Sequence, residues 1–352
     1  IGFTLPSAYS AVEDGLVTSI KNQGRTGMCW AFALIGSMES NAIKRGLTDL
    51  GTSLDLSEAH LAKNSFRYEV DTLGLNAKDS VTPRSELEFI DMGFSVVHGL
   101  FTLTRGMGPV RESQAPFSYD YQQMSDNVMN GTFYHREFTL QNGIVPWMFD
   151  EESVKRLVYE NGAVACAYRS NGDEYYGYVK SGGMPNHGAQ IVGWDDSIDR
   201  NKFLPEPASQ DGAWLIKNSW GNSAAYFWLS YDSTVSEVMS AEMAPQDAYD
   251  YKYHYDMANF SSEYDLQAGE EVKIANIFKT QKTTSTKTER IHAVSVGFAS
   301  MNTMYSLQLY KNPTNGNPES GTPLLDEPLQ GVKIHRGYYT ISLPQSIEVA
   351  KD

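Results

Sequence analysis

Apolar residues recur at helical spacing from Trp30 onward: Trp30-Ala31-Phe32-Ala33-Leu34-Ile35, then Met38, Ala42 and Ile43. That period predicts a buried helix ending near Gly46. Cys29 stands at or near its N-terminus, after the turn-forming run Asn22-Gln23-Gly24-Arg25-Thr26-Gly27. Ser57 is a good N-cap for a second, short helix, with Glu58 in its first turn. Residues 66 to 83 read as loop. From Ser85 the spacing of Leu87, Phe89, Ile90, Phe94, Val97, Leu100, Phe101 and Leu103 is again helical, in two pieces broken near Gly93. Gly106 to Val110 marks a turn, and Pro116, Tyr119 and Tyr121 suggest an exposed segment. Asp150-Glu151-Glu152 opens another helix, with Val154, Leu157 and Val158 on one face and Asn161-Gly162 closing it. The pattern then becomes strand-like at 163–168, 188–194, 213–217 and 226–231.

Helices followed by strands predict an α+β fold with two lobes rather than a parallel α/β sheet. At 352 residues the chain exceeds one typical domain, and its character changes past residue 237. Tyr249-Asp250-Tyr251-Lys252-Tyr253-His254-Tyr255-Asp256 alternates aromatic and polar residues. Short alternating runs follow at 272–278, 293–299, 304–310 and 337–342, separated by turns such as Asn312 to Pro318. These predict a C-terminal all-β sandwich over 238–352, after a first domain of residues 1–237. The chain stops at Lys351-Asp352, where another strand is expected to begin, so the second domain is read as cut short.

Composition narrows the classes. A content of 41% hydrophobic and 20% charged residues is ordinary for a globular protein. No apolar run approaches the roughly 20 residues that span a bilayer, so no transmembrane segment is expected. The opening Ile1-Gly2-Phe3-Thr4 has no leader character, and any signal or pro-segment is expected to lie outside this sequence. A net charge of −15, without clustered Lys and Arg, argues against nucleic acid or anionic lipid as a partner. No Cys-x-x-Cys or His-Glu-x-x-His pattern and no Gly-rich phosphate loop occurs, so neither metal nor cofactor is expected. Cys166, in the apolar run Ala163 to Tyr168, reads as a buried free thiol.

Candidate chemistry centres on Cys29. A helix N-terminus favours an anion and hence the nucleophilic thiolate, although a lone Cys beside Trp, Ala and Phe is more often an inert hydrophobe. Of seven histidines, only His187 lies where a turn feeds an apolar strand, Met184-Pro185-Asn186-His187-Gly188-Ala189-Gln190-Ile191-Val192-Gly193-Trp194. Asn218 follows 31 residues later in Trp214-Leu215-Ile216-Lys217-Asn218-Ser219-Trp220-Gly221.

Gln23 six residues before Cys29, then the His187 motif, then Asn218-Ser219-Trp220-Gly221, resembles the papain-like cysteine peptidases in order and approximate spacing. Leu56-Ser57-Glu58 resembles the start of a helix in the same family. The resemblance implies a helical lobe carrying Cys29 as nucleophile and a sheet lobe carrying His187 as its base. It further implies Gln23 as oxyanion donor, Asn218 orienting His187, and Trp220 shielding that bond. Gly93 and Phe94 match the segment that runs along substrate backbone and lines the second subsite, which Ala167 and Gly188 would complete. A bulky apolar P2 residue is expected there. The sequence departs from the family at Thr26, where a disulfide cysteine is usual, and at Met28, where a small residue is usual and which is expected to shape the cleft rim. The family's Gly-Trp-Gly element after Asn218 is missing, so a loop near the primed side is expected to be rebuilt.

The C-terminal region looks like the lectin-like β-sandwich module that follows papain-like domains in some bacterial surface peptidases. Together these imply a monomeric, secreted or cell-surface bacterial endopeptidase acting on protein or peptide substrates, with a glycan or cell-wall ligand for the second domain. The competing reading is a catalytically silent adhesin that keeps the papain-like lobe as scaffold, with Tyr251, Tyr253 and Tyr255 stacking on sugars. A cell-wall amidase also uses Cys and His, but lacks the Gln23 and Asn218 elements.

Overall fold

The computed structural model describes residues 4–66, 88–128, 132, 135–146, 150–255, 271–280 and 288–349. Two compact units are present, Ile1–Phe260 and Ser261–Asp352. In chain order the first holds β1 (Ala8–Ser10), α1 (Cys29–Lys44), α2 (Glu58–Ser65), α3 (Glu88–Asp91), α4 (Val96–Thr104), α5 (Tyr121–Asn127) and β2 (Phe138–Val145). There follow α6 (Glu151–Asn161), β3 (Val164–Tyr168), β4 (Tyr178–Val179), β5 (His187–Asp195), β6 (Ala213–Lys217), β7 (Tyr226–Ser230) and β8 (Val235–Pro245). Helices thus precede most strands, and the unit is α+β.

The expected caps are in place. Ser57 and Asp150 each accept a hydrogen bond from the third residue onward, and Gly162 closes α6 at φ 88°. The helical run after residue 85 breaks at 92–95, and Ser95 caps α4 through the His98 N–H. Residues 67–83 of the expected loop lie outside the described residues. In the segment expected to be exposed, Tyr119 is 61% exposed, and Tyr121 opens the short helix α5 with Asp120 as its cap.

Antiparallel pairing runs β7-β6-β5-β3-β8-β2, with β4 parallel on β7 and β1 on the far end of β5. Strand β8 crosses residue 237 and hydrogen-bonds to β3 and β2 within the first unit. The sheet's apolar face carries Val164, Cys166, Tyr168, Ile191, Trp194, Ile216 and Phe227, closed by Val154, Leu157 and Val158 of α6. Helix α1 is buried from Trp30 to Ala42, packed against β3, β5 and β8 on one side and α2 and α4 on the other. Buried along this length, it ties Ser40 and Asn41 to neighbouring backbone. Ser40 Oγ accepts from the Ala163 N–H at 2.8 Å, Asn41 Oδ1 accepts from the Met243 N–H at 2.8 Å, and Asn41 Nδ2 donates to the Asn161 carbonyl at 3.0 Å.

A charged knot fixes the strand of chain that leads to Gln23. Lys21 Nζ reaches Glu39 of α1 at 2.8 Å, Asp55 at 2.8 Å and Glu58 of α2 at 2.7 Å. Glu39 also accepts from Thr18 Oγ1 at 2.5 Å and the Leu56 N–H at 2.8 Å. Three carboxylates share one ammonium, so burial pushes Glu58 up to about 8 despite Lys21, and nearby Glu112 up to about 7.

In the second unit, β9 (Glu289–Phe298), β10 (Thr303–Leu307), β11 (Tyr310–Lys311), β12 (Thr322–Pro323), β13 (Leu329–Lys333) and β14 (Arg336–Val349) pair as β9-β14, β10-β13 and β11-β12, all antiparallel. It is all-β among its described residues. The run expected as a strand at 272–278 is not one, and Tyr251, Tyr253 and Tyr255 also lie on irregular backbone rather than in a strand. Tyr251 is 55% exposed.

Replacing the knot's cation should be costly. Lys21→Met leaves Glu39 and Glu58 buried without it, and a loss of about 3–5 kcal/mol is expected in urea denaturation. The raised carboxyls have a second consequence. Folded Glu58 and Glu112 hold protons that the unfolded chain releases near pH 4.5. Their contribution to stability is complete below that pH and is lost as pH rises through about 7 to 8. The urea midpoint should therefore fall between pH 5 and 8, and Glu112→Gln should flatten that fall.

Candidate active site

Cys29 is the first residue of α1. Met28 takes the N-cap position at φ −87° and ψ 13°, offers no side-chain cap, and is fully buried. It does not shape the cleft rim, as the sequence led us to expect, because its side chain is part of the core. The turn before it is held by polar contacts. Thr26 Oγ1 donates to the Gln23 carbonyl at 2.9 Å, Gln23 Nε2 donates to the Thr26 carbonyl at 2.9 Å, and Ser219 Oγ donates to Gln23 Oε1 at 2.6 Å. Thr26 thus supplies hydrogen bonds at the position where the resemblance has a disulfide. Gln23 is 4% exposed, and its amide is aimed by both contacts.

Two stretches far apart in sequence meet through backbone. The Gln23 N–H donates to the Ser219 carbonyl at 2.8 Å, and the Gly221 N–H to the Lys21 carbonyl at 2.9 Å. The Gly27 N–H donates to the Ile90 carbonyl at 2.8 Å, and a Cβ on Gly27 would lie 2.5 Å from the Asp91 carbonyl oxygen, so only glycine fits. That contact brings Gly93 beside the turn before Cys29. Gly188 lies against Cys29 itself: a Cβ there would stand 3.0 Å from the Trp30 nitrogen and 3.1 Å from the Cys29 carbonyl. Ala167 pairs with Gly188, and Tyr168 with His187, in the β3-β5 ladder. Phe94 is half-buried with its ring on Trp30 at 5.1 Å and on Phe66 at 4.8 Å.

His187 Nε2 is 2.8 Å from Asn218 Oδ1, which also accepts the Ser219 N–H at 2.9 Å. An atom that accepts a backbone N–H is the amide oxygen, so Nε2 must donate and Nδ1 is left as the basic nitrogen. Trp220 stacks on the imidazole at 4.5 Å and 27°, and the Tyr168 ring stands edge-on to it at 5.6 Å and 78°. Trp220 also lines a cavity of about 520 Å³ with Gly172, Glu174, Tyr175, Ser223 and Ala224.

Burial works against charge on both Cys29 and His187. It pushes the Cys29 thiol up, opposed by the N–H groups of Gly188, Trp30 and Cys29, with Glu237 adding to the rise. It pushes His187 down, opposed by the bond to Asn218 and by the Glu174 carboxylate. Cys166 is a different thiol: fully buried, free, and pushed up to about 12. Sequence reading missed Ser219, Tyr168, Glu174 and Glu237. Ser219 adjoins a recognised residue and Glu174 lies six residues from its partner Tyr168, but Tyr168 reaches His187 through the β3-β5 ladder and Glu237 comes from β8, placements that no local pattern reveals. Among the described residues, no group of three or more His, Cys, Asp or Glu side chains is placed to hold a metal ion, and no helix is long and apolar enough to cross a membrane.

Residues 5–71 and 96–246 match the family described as papain family cysteine protease, and residues 252–352 match a lectin-like domain. The chain belongs to the papain family of cysteine proteases, with a lectin-like domain following the peptidase. Cathepsin S of Mus musculus is 25% identical over 226 residues, 62% of this chain and 56% of its own length. The viral cathepsin of Heliothis zea nuclear polyhedrosis virus is 31% identical over 224 residues, 62% of this chain and 49% of its own. The chain thus spans about half the length of these relatives. The clostridial cysteine protease Cwp84 after propeptide cleavage shares the fold with a TM-score of 0.70 at 22% identity, covering 97% of this chain and 82% of that one. A structure of the cysteine protease and lectin-like domains of Cwp84, described as a surface layer associated protein of Clostridium difficile, superposes with a TM-score of 0.71 at 21% identity, covering 98% and 74%.

The two thiols should separate cleanly by reactivity. Iodoacetamide on the folded protein is expected to label Cys29 and spare Cys166, as read by peptide mass spectrometry. Equal labelling of both would contradict the burial described above.

Proposed function

We propose that this chain is an endopeptidase that cleaves protein peptide bonds through Cys29, His187, Asn218 and Gln23. The observation that carries the reading is the His187 to Asn218 bond, which leaves Nδ1 as the basic nitrogen in a strand whose next residue abuts Cys29. Cys29 passes its proton to His187 Nδ1, and the thiolate sulfur bonds to the peptide carbonyl carbon. The carbonyl π pair moves to oxygen, and the oxyanion takes hydrogen bonds from the Gln23 amide and the Cys29 N–H. Its collapse breaks the C–N bond as His187 gives its proton to the leaving amine, leaving a thioester. Water, deprotonated by His187, attacks the thioester, and the carboxylic product departs as the thiol is regenerated.

Gly93, Phe94, Ala167 and Gly188 are the residues we assign to the substrate's second subsite, with a bulky apolar P2 preferred. Trp220 shields the His187 to Asn218 bond and borders the primed side. Location at a bacterial cell surface or in the medium, and a glycan or cell-wall ligand for the lectin-like domain, complete the proposal. The description of Cwp84 as a surface layer associated protein supports the former.

Cys29→Ala is expected to fold normally by circular dichroism and to lose peptide hydrolysis; unchanged hydrolysis would refute the assignment. Gln23→Ala should lower kcat by roughly 10²–10³ with KM little altered, as loss of an oxyanion donor does. A P2-varied peptide library should favour large apolar residues.

A further inference from the structure

A buried carboxylate lies behind the imidazole and has no role in the steps above. Glu174 is 1% exposed, in the short turn of helix Glu174–Tyr176. Its Oε1 accepts from the Tyr168 hydroxyl at 3.0 Å, and its Oε2 is buried without a hydrogen-bond partner. Among the described residues no Lys or Arg pairs with it. An anion so placed is costly unless a cation compensates it. The Tyr168 ring that binds Glu174 at one end stands edge-on to His187 at the other. Trp220, stacked on the His187 ring, lines the same cavity as Glu174.

We propose that Glu174 is a positioning residue whose buried charge, held by Tyr168, stabilises the imidazolium of His187 and so favours the thiolate of Cys29. The inference rests on the catalytic reading above. It resolves a tension in the site, where desolvation disfavours charge on both reacting groups. Neutral imidazole leaves the Glu174 carboxylate uncompensated; protonated imidazole compensates it. The thiol-to-imidazole proton transfer therefore brings a cation toward a waiting anion. Other titratable groups around the pair are Cys29 from α1, Tyr168 and Cys166 from β3, and Glu237 from β8, which acts on the thiols rather than on His187. Glu174 is the carboxylate that acts on His187.

The sign follows directly. The alkaline limb of kcat/KM marks loss of the imidazolium proton. Glu174→Gln keeps the shape and the acceptor for Tyr168 but removes the charge, so this limb should move to lower pH by about half a unit to one unit. At pH values on that limb kcat/KM should fall about three- to tenfold, with KM little changed. Glu174→Asp should restore most of the shift. Tyr168→Phe, which removes the carboxylate's hydrogen bond and keeps the ring, should move the limb in the same direction. The proposal is overturned if Glu174→Gln is active with a pH profile superimposable on the wild type, or if Glu174→Asp behaves as Glu174→Gln does. If Glu174→Gln does not fold, Tyr168→Phe decides: an unmoved limb overturns the proposal. Failure of the underlying catalytic reading is separately visible, as hydrolysis that survives Cys29→Ala.

Discussion

The active geometry rests on a contact that contains no side chain. At Gly188, strand β5 runs against the backbone of Cys29 and Trp30 closely enough that even a methyl group would crowd it. This approach seats the first turn of α1 on the sheet, placing the thiol beside backbone N–H groups and beside the strand that begins with His187. Burial of α1 supplies the force. A 16-residue helix whose residues 30–42 are all buried has no freedom to slide, and its Ser40 and Asn41 are locked to α6, to Ala163 just before β3, and to β8.

Around that contact, hydrogen bonds do the work that a covalent staple would otherwise do. Thr26, Gln23 and Ser219 close a loop of mutual donors and acceptors, and the Lys21 knot anchors the same segment to α1 and α2. A disulfide constrains the unfolded chain, whereas these bonds constrain only the folded state. The nucleophile's turn is therefore as stable as its surroundings, and its integrity depends on the charge state of buried carboxylates.

The site's electrostatics show two opposed demands on one region. Exclusion of water strengthens each hydrogen bond to Cys29 and His187 but penalises the charges that the proposed reaction needs. The protein meets this with oriented groups: three N–H donors at the sulfur, an amide oxygen at Nε2, and a carboxylate one ring away. Cys166, equally buried and lacking such an arrangement, remains an inert thiol of the core.

Local pattern determined much of this in advance. The 3.6-residue period located α1, caps at Ser57 and Asp150 located α2 and α6, strand-like runs located β3, β5, β6 and β7, and alternation located much of β9, β10 and β14. Cys29, His187, Asn218 and Gln23 could be named as candidates because each sits in a short motif whose residue types are adjacent in sequence. What the chain's order could not reveal were pairings across it. The strands β2 and β8 bind each other across about 100 residues, and the Tyr168 ring meets His187 only because β3 pairs with β5. Alternation at 272–278 produced no strand, since a strand requires a partner as well as a pattern. Sequence set the local conformations and the reacting groups. Only the tertiary structure decided which buried charges face one another, because Coulomb energy depends on distance and desolvation, and neither is a property of neighbours along the chain.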